Sequence, residues 1–370
     1  MLLTDHFPPT MPAALTGSLT TRLPVETDVE SLAELVTRDI RSHTPDGVED
    51  VDGLRSRLVG LRSWARRQVV VVPSAPDGSP TLDQPPVAWV AVEDRAAGRS
   101  DVQFVLGREV PERDQLAAAL LDWAEEAAGS FARHRGVKTT QLDVSAHEAD
   151  TDRARLLTAA GYTMMRTWLH MRRPVTLEET GPPPATRPGT RVRRVHCHTS
   201  GLPVAQDVRT VHRMLEESFA DHFSSYRESF VEFAQRLIEG PDEADWDHWW
   251  IAEVEREGRW LPAGGLVTAK LRARPELTDP VARGEGTYLE YLGVHRSARG
   301  LGIAKALLRV AIADAAERGR THVDLEVDAD SPTGADGLYA AMGWETFERT
   351  QSWHAGAEAH PSRLLEPPEA

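Results

Sequence analysis

The sequence predicts an α/β (α+β) fold made of two tandem domains, each a mixed, mostly antiparallel sheet flanked by helices. Three observations predict it. Strand-like and helix-like segments follow one another in the same order in the two halves of the chain. Short stretches of matching residues recur after about 180 residues, which is the length of a domain and not of a solenoid repeat. A segment rich in proline and glycine separates the halves.

The first half alternates strand-like and helix-like patterns. An unbroken run of four valines at 69–72 is typical of a buried strand. The predicted elements are, in order, a helix at 28–37, strands at 69–72, 87–92 and 102–106, a helix at 115–128, a strand at 141–144, a helix at 152–160 and a strand at 163–171.

The second half repeats this order. Its helix at 303–317 is amphipathic, with apolar residues at helical spacing. The predicted elements are a strand at 191–195, helices within 207–238, strands at 249–254, 264–270 and 288–294, the helix at 303–317, a strand at 323–327, a helix at 335–342 and a strand at 346–353.

Individual residues also correspond between the halves. The matches are Ala119-Leu120-Leu121 with Ala306-Leu307-Leu308 (306 − 119 = 187), Leu142 and Val144 with Leu325 and Val327 (325 − 142 = 183), and Gly161 with Gly343 (343 − 161 = 182). Residues 178–190 hold four prolines and two glycines, which cannot continue a helix or a central strand. We therefore predict an N-terminal extension at 1–22, a first domain at 23–177, a linker at 178–190, a second domain at 191–355 and a C-terminal tail at 356–370.

Composition narrows the class of protein. The 370 residues are 41% hydrophobic and 27% charged, which is enough apolar material for two cores. The net charge of −15 argues against nucleic-acid or anionic-membrane partners and is compatible with a cationic amine substrate. Cys197 is the single cysteine, so an intrachain disulfide or a multi-cysteine metal site is excluded. We find no membrane-helix pattern and no signal peptide, and expect a cytoplasmic monomer or homodimer.

The segment from Thr287 to Trp344 carries the clearest chemical signal. A predicted strand ends at Val294, a turn with two glycines runs from Arg299 to Ala304, and a helix begins at Ile303. Glycines let backbone N–H groups approach a ligand closely, and a helix N-terminus favours phosphate. The sequence therefore predicts a site for a phosphorylated cofactor.

Three kinds of phosphate site contain a glycine-rich turn before a helix. A Walker loop is excluded because Lys305 is followed by Ala306 and not by Ser or Thr. A dinucleotide-binding turn would need glycine where Lys305 stands, although Gly300, Gly302 and an acidic strand end near Glu326 keep that alternative open. The third kind follows from a resemblance.

The pattern Arg299-x-x-Gly302-x-Ala304, followed by Leu338-Tyr339 and Gly343-Trp344, resembles the Gcn5-related N-acetyltransferase (GNAT) superfamily. The resemblance covers nearly all of residues 23–355 and implies acetyl-CoA as co-substrate and a small-molecule amine as acceptor. It implies that backbone groups of Leu292, Gly293 and Val294 bind the pantetheine arm. The pyrophosphate would be bound by Arg299, Gly300, Leu301, Gly302, Ile303, Ala304 and Lys305.

Two side chains are the candidates for catalysis under this resemblance. Glu290 would be the general base that deprotonates the amine, because strand alternation puts it on one face two residues before Leu292. A water chain, with Glu290 only a solvated carboxylate, is the alternative. Tyr339 would protonate the departing thiolate, and its alternative is a half-buried aromatic residue of the helix.

The first copy lacks the parts of this site. Under the offset of 187, the positions of Arg299, Gly300 and Gly302 fall on Glu112, Arg113 and Gln115, and under the offset of 182 Tyr339 falls on Leu157. A degenerate first domain before an intact second one is similar to mycothiol synthase and its actinobacterial relatives, although Ser331 stands where many members carry Asn.

The acceptor site has weaker signals. Its candidates are Trp123, the segment 219–223 with His222, and the aromatic cluster at 246–250, which is equally typical of a strand entering the core. Function therefore stands between two classes: an acyl-CoA-dependent N-acetyltransferase whose second domain is catalytic, and a non-catalytic CoA-ligand sensor or interaction module.

Overall fold

The computed structural model describes residue 13 and residues 15–95, 98–183, 186–218, 229–238, 246–331 and 334–359. Contacts divide the chain into two units, which we call unit 1 (residues 1–167 and 350–370) and unit 2 (residues 168–349). Each unit contains strands paired into a sheet and helices packed on it.

In unit 1, strands β1 to β5 pair in chain order. They are β1 (Leu19–Arg22), β2 (Arg66–Pro73), β3 (Ala88–Asp94), β4 (Arg99–Leu106) and β5 (Thr139–His147). Its helices are α1 (Val29–Arg41), α2 (Val51–Leu58), α3 (Arg113–His134) and α4 (Thr151–Ala159). The valine run of β2 is buried on both faces, since alternate valines pack into two different apolar clusters. Helices on both faces of the sheet explain why this strand is apolar throughout.

The remaining strands are β6 (Thr163–Pro174), β7 (Thr190–Arg194), β8 (Trp249–Arg256), β9 (Arg259–Leu271), β10 (Gly286–Val294), β11 (His322–Asp328) and β12 (Glu345–Glu358). The helices after residue 168 are α5 (Ala205–Ser218), α6 (Phe230–Ile238), α7 (Ile303–Glu317) and α8 (Ala335–Ala340). In unit 2 the pairing order from one edge is β7, β8, β9, β10 and β11. The pairs β4–β5 and β10–β11 are parallel, and the other pairings within the two units are antiparallel. The predicted mixed, mostly antiparallel α/β fold is confirmed.

The last strand of each unit comes from the other half of the sequence. In unit 2, residues 168–174 of β6 pair antiparallel with β11, from Trp168 opposite Asp328 to Pro174 opposite His322. In unit 1, residues 350–358 of β12 pair antiparallel with β5. We call this arrangement the strand exchange. The units therefore do not end at the proline-rich segment 178–190, which marks a boundary of the sequence repeat and stays a prediction as a linker.

The N-terminal residues differ from the predicted extension. Leu15 is buried in the unit 1 core, and β1 pairs antiparallel with β2 from Leu19 opposite Pro73 to Arg22 opposite Val70. Residues 15–22 thus belong to the sheet of unit 1. Helix α2 was not predicted from the sequence, because Gly53 and three charged residues obscure its helical pattern.

Candidate active site

The parallel strands β10 and β11 separate in the middle of unit 2. Their pairing runs over four positions, from Gly286 opposite His322 to Leu289 opposite Leu325. Beyond Leu289, β10 stays paired only with β9, as far as Val294 opposite Gly264. The split exposes one edge of the β10 backbone, where an extended ligand can pair with it.

A β-bulge lies at the point where the strands separate. The register between β10 and β9 shifts between Leu289 and Tyr291, so that Glu290 is the extra residue. Leu289 and Leu292, three residues apart, both pack into the core on the α7 side, whereas Tyr291 packs into a different cluster. Simple alternation, which placed Glu290 on the face of Leu292, does not hold across the bulge. Bulges are common beside active sites because they redirect a side chain.

Polar side chains surround this split. Glu290 and Glu326 are exposed, and the Tyr288 hydroxyl interacts with the Glu326 carboxylate. Burial, assisted by the charge of Glu326, raises the pKa of Tyr288. His170 Nδ1 lies 3.4 Å from a carboxylate oxygen of Glu326. His170 reaches this place through the strand exchange, so no local sequence pattern could have pointed to it.

The predicted glycine turn has the backbone shape that an anion site needs. Gly300 and Gly302 have φ values of +78° and +80°, a left-handed conformation that other residues rarely adopt. Gly302 is the N-cap of α7, and the first intrahelical bond runs from the Ala306 N–H to the Gly302 carbonyl. The amides of Ile303, Ala304 and Lys305 precede that bond and have no acceptor within the helix. They are available to an anion.

Cationic side chains lie along this turn. Lys305 is exposed in the first turn of α7, and the Arg299 guanidinium is 3.4 Å from the Ser218 carbonyl oxygen. Arg187 donates a hydrogen bond of 3.2 Å to the Gly300 carbonyl. From the sequence, Arg187 was expected only to be part of the linker. No motif points to Arg187, because only folding brings it to the turn.

The end of β10 is closely packed around Gly293. A Cβ atom at Gly293 would lie 2.9 Å from the Ser218 side chain at the end of α5, and one at Gly264 would lie 2.7 Å from the Gly293 carbonyl oxygen. The side chains of Leu292 and Val294 pack on the α7 side of the sheet. Leu301 is half-buried and Ile303 is buried, so these two anchor the turn in the core.

Tyr339 is a largely buried residue of α8. Only 9% of it is exposed, and it belongs to the same core as Leu289 and Val327 beside the split. Its ring meets Trp344 edge-on with the centroids 5.9 Å apart, and the Trp344 indole N–H donates to the Val323 carbonyl. Burial raises the pKa of Tyr339 to about 12. The phenol therefore keeps its proton at neutral pH.

Unit 1 contains a matching split without the matching turn. Its parallel pair also covers four positions, from Arg99 opposite Gln141 to Val102 opposite Val144. The next residue along β4 is Gln103, and the β3–β4 register is continuous there, so unit 1 has no bulge and no counterpart of Glu290. Helix α3 begins at Arg113, and its N-cap Glu112 has a φ of 48° without being a glycine.

Side chains fill the start of this helix in unit 1. Gln115 donates to the Glu112 carboxylate at 2.8 Å, and Arg113 is paired with Asp152. Arg155 binds Asp114 and Asp152 as well. A network of ion pairs and a carboxylate thus occupy the place where unit 2 has open amides.

The remaining candidates have structural roles or lie outside the described residues. Trp123, Trp249 and Trp250 are buried core residues, and residues 219–223 with His222 are among those that the structure does not describe. Burial and two nearby carboxylates raise the pKa of Cys197, which opposes a nucleophilic role. In the described ranges, no cluster of His, Cys, Asp and Glu could hold a metal ion, and no helix is long and apolar enough to cross a membrane.

Comparison with known proteins supports the architecture. Residues 210–344 match the model of the Acetyltransferase (GNAT) family. A GCN5-related N-acetyltransferase from Sphaerobacter thermophilus is 23% identical with a TM-score of 0.64, and the match covers 95% of this chain and 98% of that one. A tandem GNAT protein from the clavulanic acid biosynthesis pathway is 15% identical with a TM-score of 0.57, covering 93% and 99% of the two chains.

A more distant likeness concerns N-myristoyltransferase from Saccharomyces cerevisiae, solved with bound myristoyl-CoA. It is 11% identical with a TM-score of 0.54, and the match covers 96% of this chain and 81% of that one. No curated protein matches the chain. At these identities the solved structures establish the fold, which is a tandem pair of GNAT-like domains.

Proposed function

We propose that the protein is an acyl-CoA-dependent N-acyltransferase that moves acetyl from acetyl-CoA to a small-molecule amine, with the C-terminal half as the catalyst. One observation carries the proposal: in unit 2 the split between β10 and β11 is followed along the chain by a glycine turn with open helix amides. Acyl-CoA needs both features, since its pantetheine arm is an extended amide chain and its pyrophosphate is an anion.

The residues of this site fit such a ligand. The amides of Ile303, Ala304 and Lys305 would bind the pyrophosphate, with Arg187 and Arg299 adding charge. Backbone groups of Leu292 and Val294 would pair with the pantetheine amides along the free edge of β10. The Gly293 groups face Gly265 on β9, because the His295 N–H bonds to the Ala263 carbonyl and the bonded pairs alternate along the strand. The helix amides and the outward-facing groups of Leu292 and Val294 are left available by the fold.

The reaction can be assigned to side chains at the split. An amine attacks a thioester only in its neutral form, so Glu290, directly or through one water molecule, would accept a proton from it. The new C–N bond forms as the C–S bond breaks, and Tyr339 would give its proton to the departing sulfur. The carboxylates of Glu290 and Glu326 and the net charge of −15 favour a cationic amine as acceptor. We name no narrower acceptor, because Ser331 departs from the mycothiol synthase-like pattern.

Unit 1 is proposed to be non-catalytic. Unit 1 lacks the bulge that carries Glu290, and Gln103, the residue after its split, has an amide that cannot accept the proton. The ion pairs at the start of α3 oppose phosphate binding there.

The direct test is release of free thiol from acetyl-CoA in the presence of a panel of small amines, with a longer acyl-CoA compared at the same concentration. We expect turnover with at least one amine. Tight acetyl-CoA binding without turnover on any amine would favour the sensor hypothesis instead. If NAD raised the melting temperature and acetyl-CoA did not, the result would favour a dinucleotide-binding site instead.

Arg187→Ala is expected to raise the Kd for acetyl-CoA about two- to fivefold, as for other exposed charge contacts. The effect should shrink at high salt because the charge is solvent-exposed. Isothermal titration measures it, with Arg108→Ala, an exposed arginine of unit 1, as the matched control. If the two substitutions changed the Kd equally, Arg187 would not contribute to acetyl-CoA binding.

Glu290→Gln is expected to lower kcat by about tenfold or more and to leave the KM for acetyl-CoA nearly unchanged, because the amide cannot accept the proton. Steady-state kinetics with a saturating amine measures both constants. The control is Glu285→Gln, which removes a carboxylate just before the start of β10. Glu285 is paired there with Lys270 at 2.7 Å. An unchanged kcat would assign deprotonation to a water chain.

A further inference from the structure

Unit 1 retains a cleft at its own strand split. The cleft has a volume of about 350 Å³ and lies where β4 leaves β5, beyond Val102 and Val144. Its lining includes the half-buried Val36, together with Trp89, Phe104 and Val105, each of which is at most 5% exposed. This volume is at the lower end of the range for small-molecule sites, so the cleft suits a compact ligand.

Two arginines of the cleft are already neutralised. Arg57 donates to the Glu49 carboxylate at 2.6 Å. Arg153 is paired with Asp39, and it also donates to the Phe104 carbonyl at 2.8 Å. That carbonyl belongs to the part of β4 beyond the split, so Arg153 occupies a backbone group that an acyl-CoA would need. The cleft is therefore unsuited to the ligand proposed for unit 2.

Asp101 and Ser145 are different from these paired groups. Neither the Asp101 carboxylate nor the Ser145 hydroxyl makes a hydrogen bond to any residue within the described part of the chain, and both line the cleft. Burial raises the pKa of Asp101 to about 6, against the opposing charges of Arg95 and Arg66. Those two arginines are themselves paired with Glu93. An ionised Asp101 is thus a half-buried charge. A cationic ligand beside it would offset the desolvation penalty of the carboxylate.

The matching positions in unit 2 show what has changed. Counting from the last paired position of each split, Asp101 stands where unit 2 has Tyr288, and Ser145 stands where it has Glu326. The strand pairing thus matches β5 with β11 at an offset of 181 (326 − 145), two residues less than the 183 expected from the sequence. In unit 2 these two side chains interact with each other, whereas in unit 1 no interaction joins Asp101 and Ser145. The copy that lacks a base has gained an unpaired carboxylate in its cleft.

We propose that the cleft of unit 1 binds a small organic ammonium ion, with Asp101 as its counter-ion and Ser145 as a hydrogen-bond partner. Val36, the half-buried apolar residue of the cleft, would contact the organic part of the ligand. This site binds without reacting, and it is separate from the acyl-transfer site proposed for unit 2.

The test uses the full chain and 2-phenylethylamine as the probe, with 2-phenylethanol as a neutral analogue of the same shape. At about pH 8 the amine is protonated and Asp101 is ionised. Isothermal titration is expected to show binding of the amine about tenfold tighter than binding of the alcohol, as for other hydrogen bonds to charged groups. Equal affinities of the two probes, or no binding of the amine at millimolar concentration, would overturn the proposal.

Variants then locate the site. Asp101→Asn is expected to weaken amine binding about tenfold while leaving thiol release by unit 2 unchanged, which also shows that the variant is folded. Ser145→Ala, at an exposed position, is expected to weaken binding by a smaller factor without any change of charge. Glu290→Gln, which changes only the unit 2 site, should leave the Asp101-dependent part of amine binding unaltered. If Glu290→Gln abolished binding and Asp101→Asn did not, the ligand would occupy unit 2 and the proposal would be wrong.

Discussion

Replacing Tyr339 by phenylalanine is expected to lower kcat by about 100-fold or more, because general acid catalysis is typically worth about 100- to 10,000-fold. The substitution keeps the ring and its edge-on contact with Trp344. The Kd for acetyl-CoA should change much less, since at most one hydrogen bond of about 0.5–1.5 kcal/mol is lost.

A matched control exists in unit 1. Tyr162 is also buried, and its hydroxyl has no hydrogen-bond partner among the residues that the structure describes. Tyr162→Phe should therefore leave kcat and the melting temperature nearly unchanged. Single-turnover kinetics are the right measurement, because slow product release could hide the chemical step. A Tyr339→Phe protein with a normal single-turnover rate would make Tyr339 a core residue and nothing more.

The pH profile of the wild-type protein provides a second check on Tyr339. Its pKa is raised to about 12, so the phenol stays protonated up to that pH. An ordinary tyrosine would be half deprotonated near pH 10. We therefore expect no loss of kcat between about pH 8 and pH 10 from ionisation of the acid.

Gly302→Glu is expected to abolish measurable acetyl-CoA binding. Gly302 is the N-cap of α7 with a φ of +80°, so the new side chain would be strained there. Its carboxylate would also stand at the proposed pyrophosphate site and repel it. Losing two hydrogen bonds to a charged group amounts to about 100-fold or more in Kd. Isothermal titration with acetyl-CoA measures the loss.

Two controls separate charge from strain. Gly302→Asn is neutral and tolerates the left-handed conformation, so it should bind acetyl-CoA better than Gly302→Glu. Gln115→Glu in unit 1 adds the same charge near a helix start that is already filled by Glu112 and should do little. If Gln115→Glu weakened binding as much as Gly302→Glu, the assignment of one active half would fail.

Local patterns explain the part of the fold that could be predicted. The helix at 303–317 and the strands around it follow from apolar spacing and from glycines whose backbone angles are left-handed. These signals lie within a few residues of each other along the chain. The turn before α7 was therefore recognisable before any contact was known.

The rest depends on contacts that local patterns do not encode. The bulge at Glu290 arises from competition between two pairing partners of β10, and strict alternation cannot predict it. Arg187 and His170 reach unit 2 through a proline-rich segment and an exchanged strand. The residues next to them in the sequence do not indicate that they contact Gly300 and Glu326.

The strand exchange also constrains how the nascent chain can fold. A ribosome adds about 5–20 residues per second, so β5 (Thr139–His147) leaves it about 10–40 s before the strand at 350–358 that completes the sheet. During that interval the edge of β5 is open to pairing with other chains. Unit 2, by contrast, has its exchanged strand at 168–174 synthesised before β11. The usual order, in which the N-terminal domain finishes folding first, is therefore reversed: the first unit to begin is the last to be completed.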